Sequence, residues 1–427
     1  MTTPAVNRAA GLDTAEQMLC RDIAARGEAL YADLERYVAI PTGAAFTPGL
    51  DELRGMLAER LQELGAVITE HAGDERPVWL TLPSERGIAS PKAPLASAPP
   101  TIIASRCGLT PHASGPRVLL AGHIDTVHDP VGTFQRLTRE SDTIARGPGA
   151  ADMKGGITLA LHALEALMQR ADVSNSLRWS FLLNSDEETG SFHSARHIED
   201  AGRLHDVGIA LEPASDNGGL VVARMGSGHF RIDCTGRTAH AGRDFIKGVS
   251  AVNALAQAIL DAAAASAPDA GRIVNIGPLE GGLVSNAVPD HASAWGNVRF
   301  ADPKAQVELA RRLDSLNTTG DTLPGVMLRR TFARAAKPMT PEVERFAMAV
   351  RDVATDLGQP LPFTTTGGVC DGNVLQSVGL LTLDTLGIRG GNLHRTDEFI
   401  EIPSLVERCQ LLAIVLYRIG TGRITIL

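Results

Sequence analysis

Apolar residues recur at three- and four-residue spacing over 13–38 and 50–64, the period of one helix face, and predict two opening helices. β-Branched and aromatic residues dominate the next stretch, where Ala66–Glu70 and Pro77–Pro83 read as strands. The pattern dissolves between Pro83 and Pro116, which hold seven of the 24 prolines and predict a long surface loop. Arg117–Ala121 is a short buried-type strand ending at Gly122. In 153–170, Ile157, Leu161, Leu164 and Met168 share one helix face, and Arg178–Leu183 and Val207–Leu211 are further buried-type strands. Strands alternating with helices predict a parallel sheet covered by helices on both faces.

Beyond Gly218 the period changes. Val221–Arg224 and His229–Cys234 alternate and read as antiparallel strands, followed by an alanine-rich helix over 249–265. Strands over 272–300, a helix over 303–316 and a strand over 326–332 complete a β-β-α-β-β-α-β order. After Pro338 the first style returns, with a helix over 341–357, a strand over 380–385 and a helix over 403–418. The reading is an α/β fold, a mixed sheet with helices on both faces built from 1–220 and 338–427. A small α+β sandwich, 221–337, is inserted into it.

Composition narrows the partners. A chain of 427 residues with 44% hydrophobic and 21% charged residues excludes a wholly disordered chain or a coiled coil. A net charge of −9 argues against a sequence-independent grip on nucleic acid. The longest apolar runs, such as Leu411–Leu416, fall far short of the ~20 residues of a membrane helix. Residues Met1–Gln17 lack the apolar stretch of a secretory signal. Five scattered cysteines (Cys20, Cys107, Cys234, Cys370, Cys409) without a CxxC fit a reducing compartment. The expectation is a cytoplasmic protein with neither nucleic-acid nor membrane partners.

Candidate chemistry sits where strands end. Gly122-His123-Ile124-Asp125-Thr126-Val127 follows the first buried strand, and side chains two apart on extended chain point the same way. The imidazole can then bind a metal while the carboxylate orients it. A glycine-rich loop, Gly147–Gly156, delivers Asp152 to the start of a helix; alone, a helix cap explains it equally well. Asn184–Ser191 places Asp186, Glu187 and Glu188 side by side after Arg178–Leu183, which is costly without a cation. Glu212 ends the strand Val207–Leu211, and Asn392–Glu398 carries His394. Histidines mixed with carboxylates, and no cysteine among them, form the donor set of hydrolytic rather than structural zinc.

These five segments, in this order and spacing, resemble the dinuclear-zinc exopeptidase and deacylase family. That family includes glutamate carboxypeptidases, peptidase T, acetylornithine deacetylase, succinyl-diaminopimelate desuccinylase and aminoacylase. The likeness runs from about residue 30 to 420, apart from the proline-rich stretch. It implies a dinuclear metallohydrolase that cleaves an amide next to an amino acid with a free carboxylate, in the manner of a glutamate carboxypeptidase. An N-acyl-amino-acid deacylase or other amidohydrolase on the same centre is the alternative. Two divalent ions, zinc before cobalt or manganese, would be held by His123, Asp152 as the bridge, Glu188, Glu212 and His394. Glu187 would be the general base and Asp125 would orient His123, with a cis bond after Asp152.

The resemblance extends into the insertion. Gly236–Gly242 is similar to the family's GxxxHAG segment, which implies that His240 reaches the active site of a second copy and that the insertion is a dimerising lid. Asn286 and Arg299 match positions that bind the substrate's free carboxylate, a task suited to the planar guanidinium fork. Substrates would be small amides or short peptides. Two departures stand out: Cys370 replaces the family's threonine in Gly367–Gly372, and His128-Asp129-Pro130 lengthens the loop after Val127.

Overall fold

The structure, a computed structural model, describes residues 11–43, 46–83, 98–106 and 115–426. Most of the proline-rich stretch, with Cys107 and His112, lies outside the described residues. The main sheet has six strands in the order Val67–His71, Thr101–Arg106, Arg178–Asn184, Arg117–His123, Val207–Ala210 and Leu381–Leu383. The last four run parallel, and Thr101–Arg106 is antiparallel to its neighbours on both sides, so the sheet is mixed.

All seven positions of Arg178–Asn184 are buried, as a strand covered on both faces must be. In Arg117–His123, Val118 and Leu120 join the large core under helices Gly155–Met168 and Pro403–Gly420. Leu119 and Ala121 point the other way, against Ile198 and Ala201 of helix Ala195–Leu204 and Val374 and Leu375 of helix Asp371–Ser377. The predicted two-faced cover is therefore present.

The insertion carries its own antiparallel sheet, in the order Arg272–Gly281, His291–Phe300, Gly226–Thr235 and Gly325–Arg334. Phe230, Ile232, Val298 and Phe300 form a separate core with Leu255 of helix Ala251–Ala263 and Leu309 of helix Pro303–Asp314. Their strand neighbours His229, Asn297 and Arg299 consequently face away from these helices, into the cleft between the two sheets.

Three expectations change. The opening helix is two, Thr14–Ala24 and Gly27–Val38, broken at Ala25 and Arg26. Pro77–Pro83 is not a strand but a single 3₁₀ turn, Val78–Leu80, because proline at each end withholds ladder donors. Leu220–Arg224 pairs in parallel with Phe363–Thr366 and not with the strand that follows it, so it stands outside the inserted sheet. At this crossing Arg224 and Lys337 exchange main-chain hydrogen bonds of 2.8 and 3.0 Å, and Asp384 receives both side chains. Among the described residues, no helix is long and apolar enough to cross a membrane.

Candidate metal centre

Parallel pairing brings the functional loops to one end of the sheet. His123 is the last residue of its strand and lies opposite Asn184, the last of the next. The carboxylate loop 185–190 therefore emerges beside it, and Glu212 follows Val207–Ala210 on the other side. The glycines of the Asp152 loop are steric necessities: a Cβ on Gly149 would stand 2.4 Å from the Thr126 methyl, and one on Gly156 2.1 Å from the Leu211 carbonyl. The Asp152–Met153 peptide is cis, as the resemblance implies.

Asp152 sits between two histidines. Its Oδ1 lies 3.3 Å from His123 Nε2 and its Oδ2 3.4 Å from His394 Nε2, which is in turn 3.3 Å from Glu188 Oε2. Donor atoms of His123, Asp152 and Glu188 all lie within 4.8 Å of one another. Glu212 lines the same cavity of ≈ 770 Å³. His123 Nε2 and Asp152 Oδ1 are buried yet make no hydrogen bond. Two ligands ~2.0–2.1 Å from a tetrahedral zinc stand about 3.3 Å apart, so these separations fit donors that share a cation rather than a proton. The residues present thus fit a divalent metal.

Electrostatics agree. Burial pushes the Glu187 carboxyl up to about 8, although Arg334 and His123 oppose it. Burial, then the Asp152 charge, holds Glu212 well above the carboxylate range, and burial lifts Glu188 as well. Asp152 and Glu188 raise His394 to about 10. A cluster that binds this many protons is one whose negative charge a divalent cation would neutralise, reversing these shifts.

Asp125 holds the carboxylate loop as much as the histidine. Its oxygens accept from the Glu187 and Glu188 amides at 3.2 and 3.0 Å, while its carbonyl oxygen lies 3.0 Å from His123 Nδ1. Asp125 Oδ1 is farther from that nitrogen, at 3.4 Å. Glu187 meets a partner that motif reading missed. Arg334, from the inserted sheet, lies 2.7 Å from Glu187 Oε1 and donates to Ser191 Oγ at 2.7 Å, with Asp371 at 3.7 Å. No local pattern marks Arg334, because its partner lies 147 residues away.

Arg299 lines the cavity with His229 and Asn297. Its guanidinium donates to Asn297 Oδ1 and the Val298 carbonyl, and no carboxylate among the described residues forms an ion pair with it. Burial, then Arg334, pulls its pKa below the ordinary arginine value. Two predicted residues do not join it. Asn286 and His240 are exposed and stand together, the Asn286 carbonyl accepting from the Ala241 amide, and neither lines the cleft of its own chain. The expected Asn286–Arg299 pair is therefore not assembled within one chain. Cys370 is buried at the start of helix Asp371–Ser377, behind the lining residues Gly368 and Val369.

The model of peptidase family M20/M25/M40 matches residues 119–418. Carboxypeptidase G2 of a Pseudomonas species is 25% identical over 402 residues, 92% of this chain and 90% of that protein. A succinyl-diaminopimelate desuccinylase of Methylobacterium nodulans is 30% identical over 322 residues, 68% of this chain and 78% of its own. A solved tripeptidase of Staphylococcus aureus superposes with a TM-score of 0.70 at 21% identity, over 92% of this chain and 98% of that one. The family match covers all five histidine- and carboxylate-bearing segments described above and the whole inserted sheet, and of the main sheet it covers the four parallel strands from Leu119 onward. The chain belongs to peptidase family M20/M25/M40 and is a metal-dependent hydrolase of amide bonds.

Proposed function

We propose that the enzyme releases an amino acid with a free carboxylate from a small amide or short peptide, with glutamate-like compounds the first substrates to test. The observation that carries this reading is Arg299, a cation that lines the cleft together with the acids and has no carboxylate partner among the described residues. An anion placed there satisfies the guanidinium and sets the adjoining amide against the metal centre, so binding energy becomes orientation.

His123, Asp152, Glu188, Glu212 and His394 would hold two divalent ions, zinc in the first instance, with Asp152 between them. Bound there, the ions supply Lewis acidity toward the scissile carbonyl and toward water. Glu187 accepts the proton of that water and returns it to the leaving amine, a transfer its enclosed carboxyl suits. Arg334 fixes the carboxyl's position, and Asp125 fixes the loop that bears it.

His240 and Asn286 would complete the site of a second copy, His240 stabilising the developing oxyanion. The exposed apolar residues nearby, Phe245, Ile246, Leu283 and Val284, support a homodimer through the inserted unit. That unit reads as a lid spanning 226–334, with crossings at Arg224 and Lys337, and the free cysteines fit a cytoplasmic setting.

The test is Arg299→Ala against paired substrates, free acid and amidated. A charged hydrogen bond in a closed site contributes on the order of 2–3 kcal/mol. Catalytic efficiency on free acids should fall roughly 30-fold or more, at ~1.4 kcal/mol per tenfold. Equal cleavage of amidated substrates by the wild type would replace the carboxylate clamp with a general amidohydrolase.

A further inference from the structure

Glu398 lies four residues past His394 and is 1% exposed. Three amides and one imidazole nitrogen converge on its two oxygens. Oε1 accepts from the amides of Ala151 at 2.8 Å and Asp152 at 3.2 Å. Oε2 accepts from the Gly149 amide at 3.1 Å and lies 2.6 Å from His128 Nε2. The three amides need an acceptor at each oxygen, and His128 Nε2 joins them as a fourth donor in the tautomer that carries its proton there.

Three separate segments meet at this side chain. His128 belongs to the lengthened loop that follows His123 and Asp125. Gly149, Ala151 and Asp152 form the turn that presents the carboxylate between the two histidines. Glu398 itself closes the tight loop of His394, whose φ is 64°, through the hydrogen bond its amide donates to the Arg395 carbonyl at 3.1 Å. Fixing Glu398 therefore fixes His394 relative to Asp152, and both relative to the strand that ends in His123.

We propose that Glu398, with His128 as its partner, is the positioning residue that sets the spacing of the metal-binding loops. The inference rests on the metal reading above, but it concerns residues that do not themselves reach the cavity. Outer partners of this kind typically change metal affinity 10–100-fold when removed. Glu398→Gln keeps the shape and replaces one acceptor oxygen with a donor, so whichever way the amide lies, at least one backbone amide faces another donor.

The experiment strips the full-length protein with a chelator and titrates it with Zn²⁺ alone in competition with a chromophoric chelator. Far-UV circular dichroism of each metal-free protein is recorded alongside. Zinc affinity should fall roughly 10–100-fold in Glu398→Gln and at least threefold in His128→Gln, with metal-free spectra matching the wild type. Zinc affinity within threefold of the wild type in both variants would overturn the proposal. If Glu398→Gln does not fold, His128→Gln decides by the same threefold limit. A wild-type protein that takes up no zinc would sink the metal reading and this one with it, whereas zinc-binding wild type with unchanged variants would sink this one alone.

Discussion

Arg334→Met removes the cation that pairs with Glu187 and keeps most of the volume. The guanidinium is buried, 2.7 Å from Glu187 Oε1 and 3.7 Å from Asp371, and it donates to the Glu187 carbonyl at 2.9 Å. Removing one partner of a buried ion pair costs about 3–5 kcal/mol, because the remaining charge stays desolvated. For a chain of 427 residues, unfolding entropy of ~2.1 cal/mol/K per residue converts this to a fall of about 3–6 °C in Tm. The activity has its own signature. Arg334 lowers the Glu187 pKa against burial, so its loss moves that pKa up and shifts the acid limb of the pH–rate profile to higher pH. Arg334→Lys retains charge without the fork and should fall between the two. Differential scanning calorimetry and kcat/KM profiles from pH 5 to 9 make the comparison. A variant whose Tm lies within 1 °C of the wild type and whose acid limb does not move would refute the ion-pair argument.

Glu187→Gln should cut turnover by roughly 10²–10⁴-fold, the range for a removed general base, while metal content by elemental analysis stays at the wild-type level; substantial residual turnover would reassign the base. Burial, then Arg299, Arg76 and Arg334, pulls His229 down to about 4, below the ~6.5 of an unfolded chain. Its neutral ring therefore favours folding above pH ~6.5, and that contribution drains away as pH falls toward 4. Between pH 7 and pH 5, metal-free His229→Gln should gain on the metal-free wild type by on the order of 1–2 kcal/mol, or about 1–2 °C in Tm; a gap independent of pH would contradict the assignment. Sedimentation should give a dimer, and a fully active monomer would remove His240 from the mechanism.

Three of the five motifs were legible because each follows an unmistakable buried strand, whereas the Asp152 and His394 segments, preceded only by short half-buried strands, were legible from their loop chemistry and their place in the order of the five. What stayed hidden was contact across the fold. Arg334 and Glu187 meet only once the inserted sheet folds over the first, and Glu398 looks like any acid in an exposed run until three loops close on it. Strand Phe363–Thr366, short and half-buried, lacks the apolar alternation that would announce it, and its pairing reassigned Leu220–Arg224. Proline at both ends of Pro77–Pro83 outweighed its β-branched and aromatic content. Asn286 and Arg299 sit 13 positions apart and read as a pair, yet the strand pairing of Ala287 with His240 carries Asn286 to the His240 surface.

A metal titration of turnover tests the metal centre most directly. Chelator-stripped protein would be assayed on an N-acyl glutamate while zinc is added back in sub-stoichiometric steps, each checked by elemental analysis. The prediction is negligible hydrolysis without metal and activity that rises to a plateau at about two ions per chain, as a dinuclear site requires. Full hydrolysis by the stripped protein would contradict a metal-dependent centre at His123, Asp152, Glu188, Glu212 and His394, and a plateau at one ion would contradict the bridging role of Asp152.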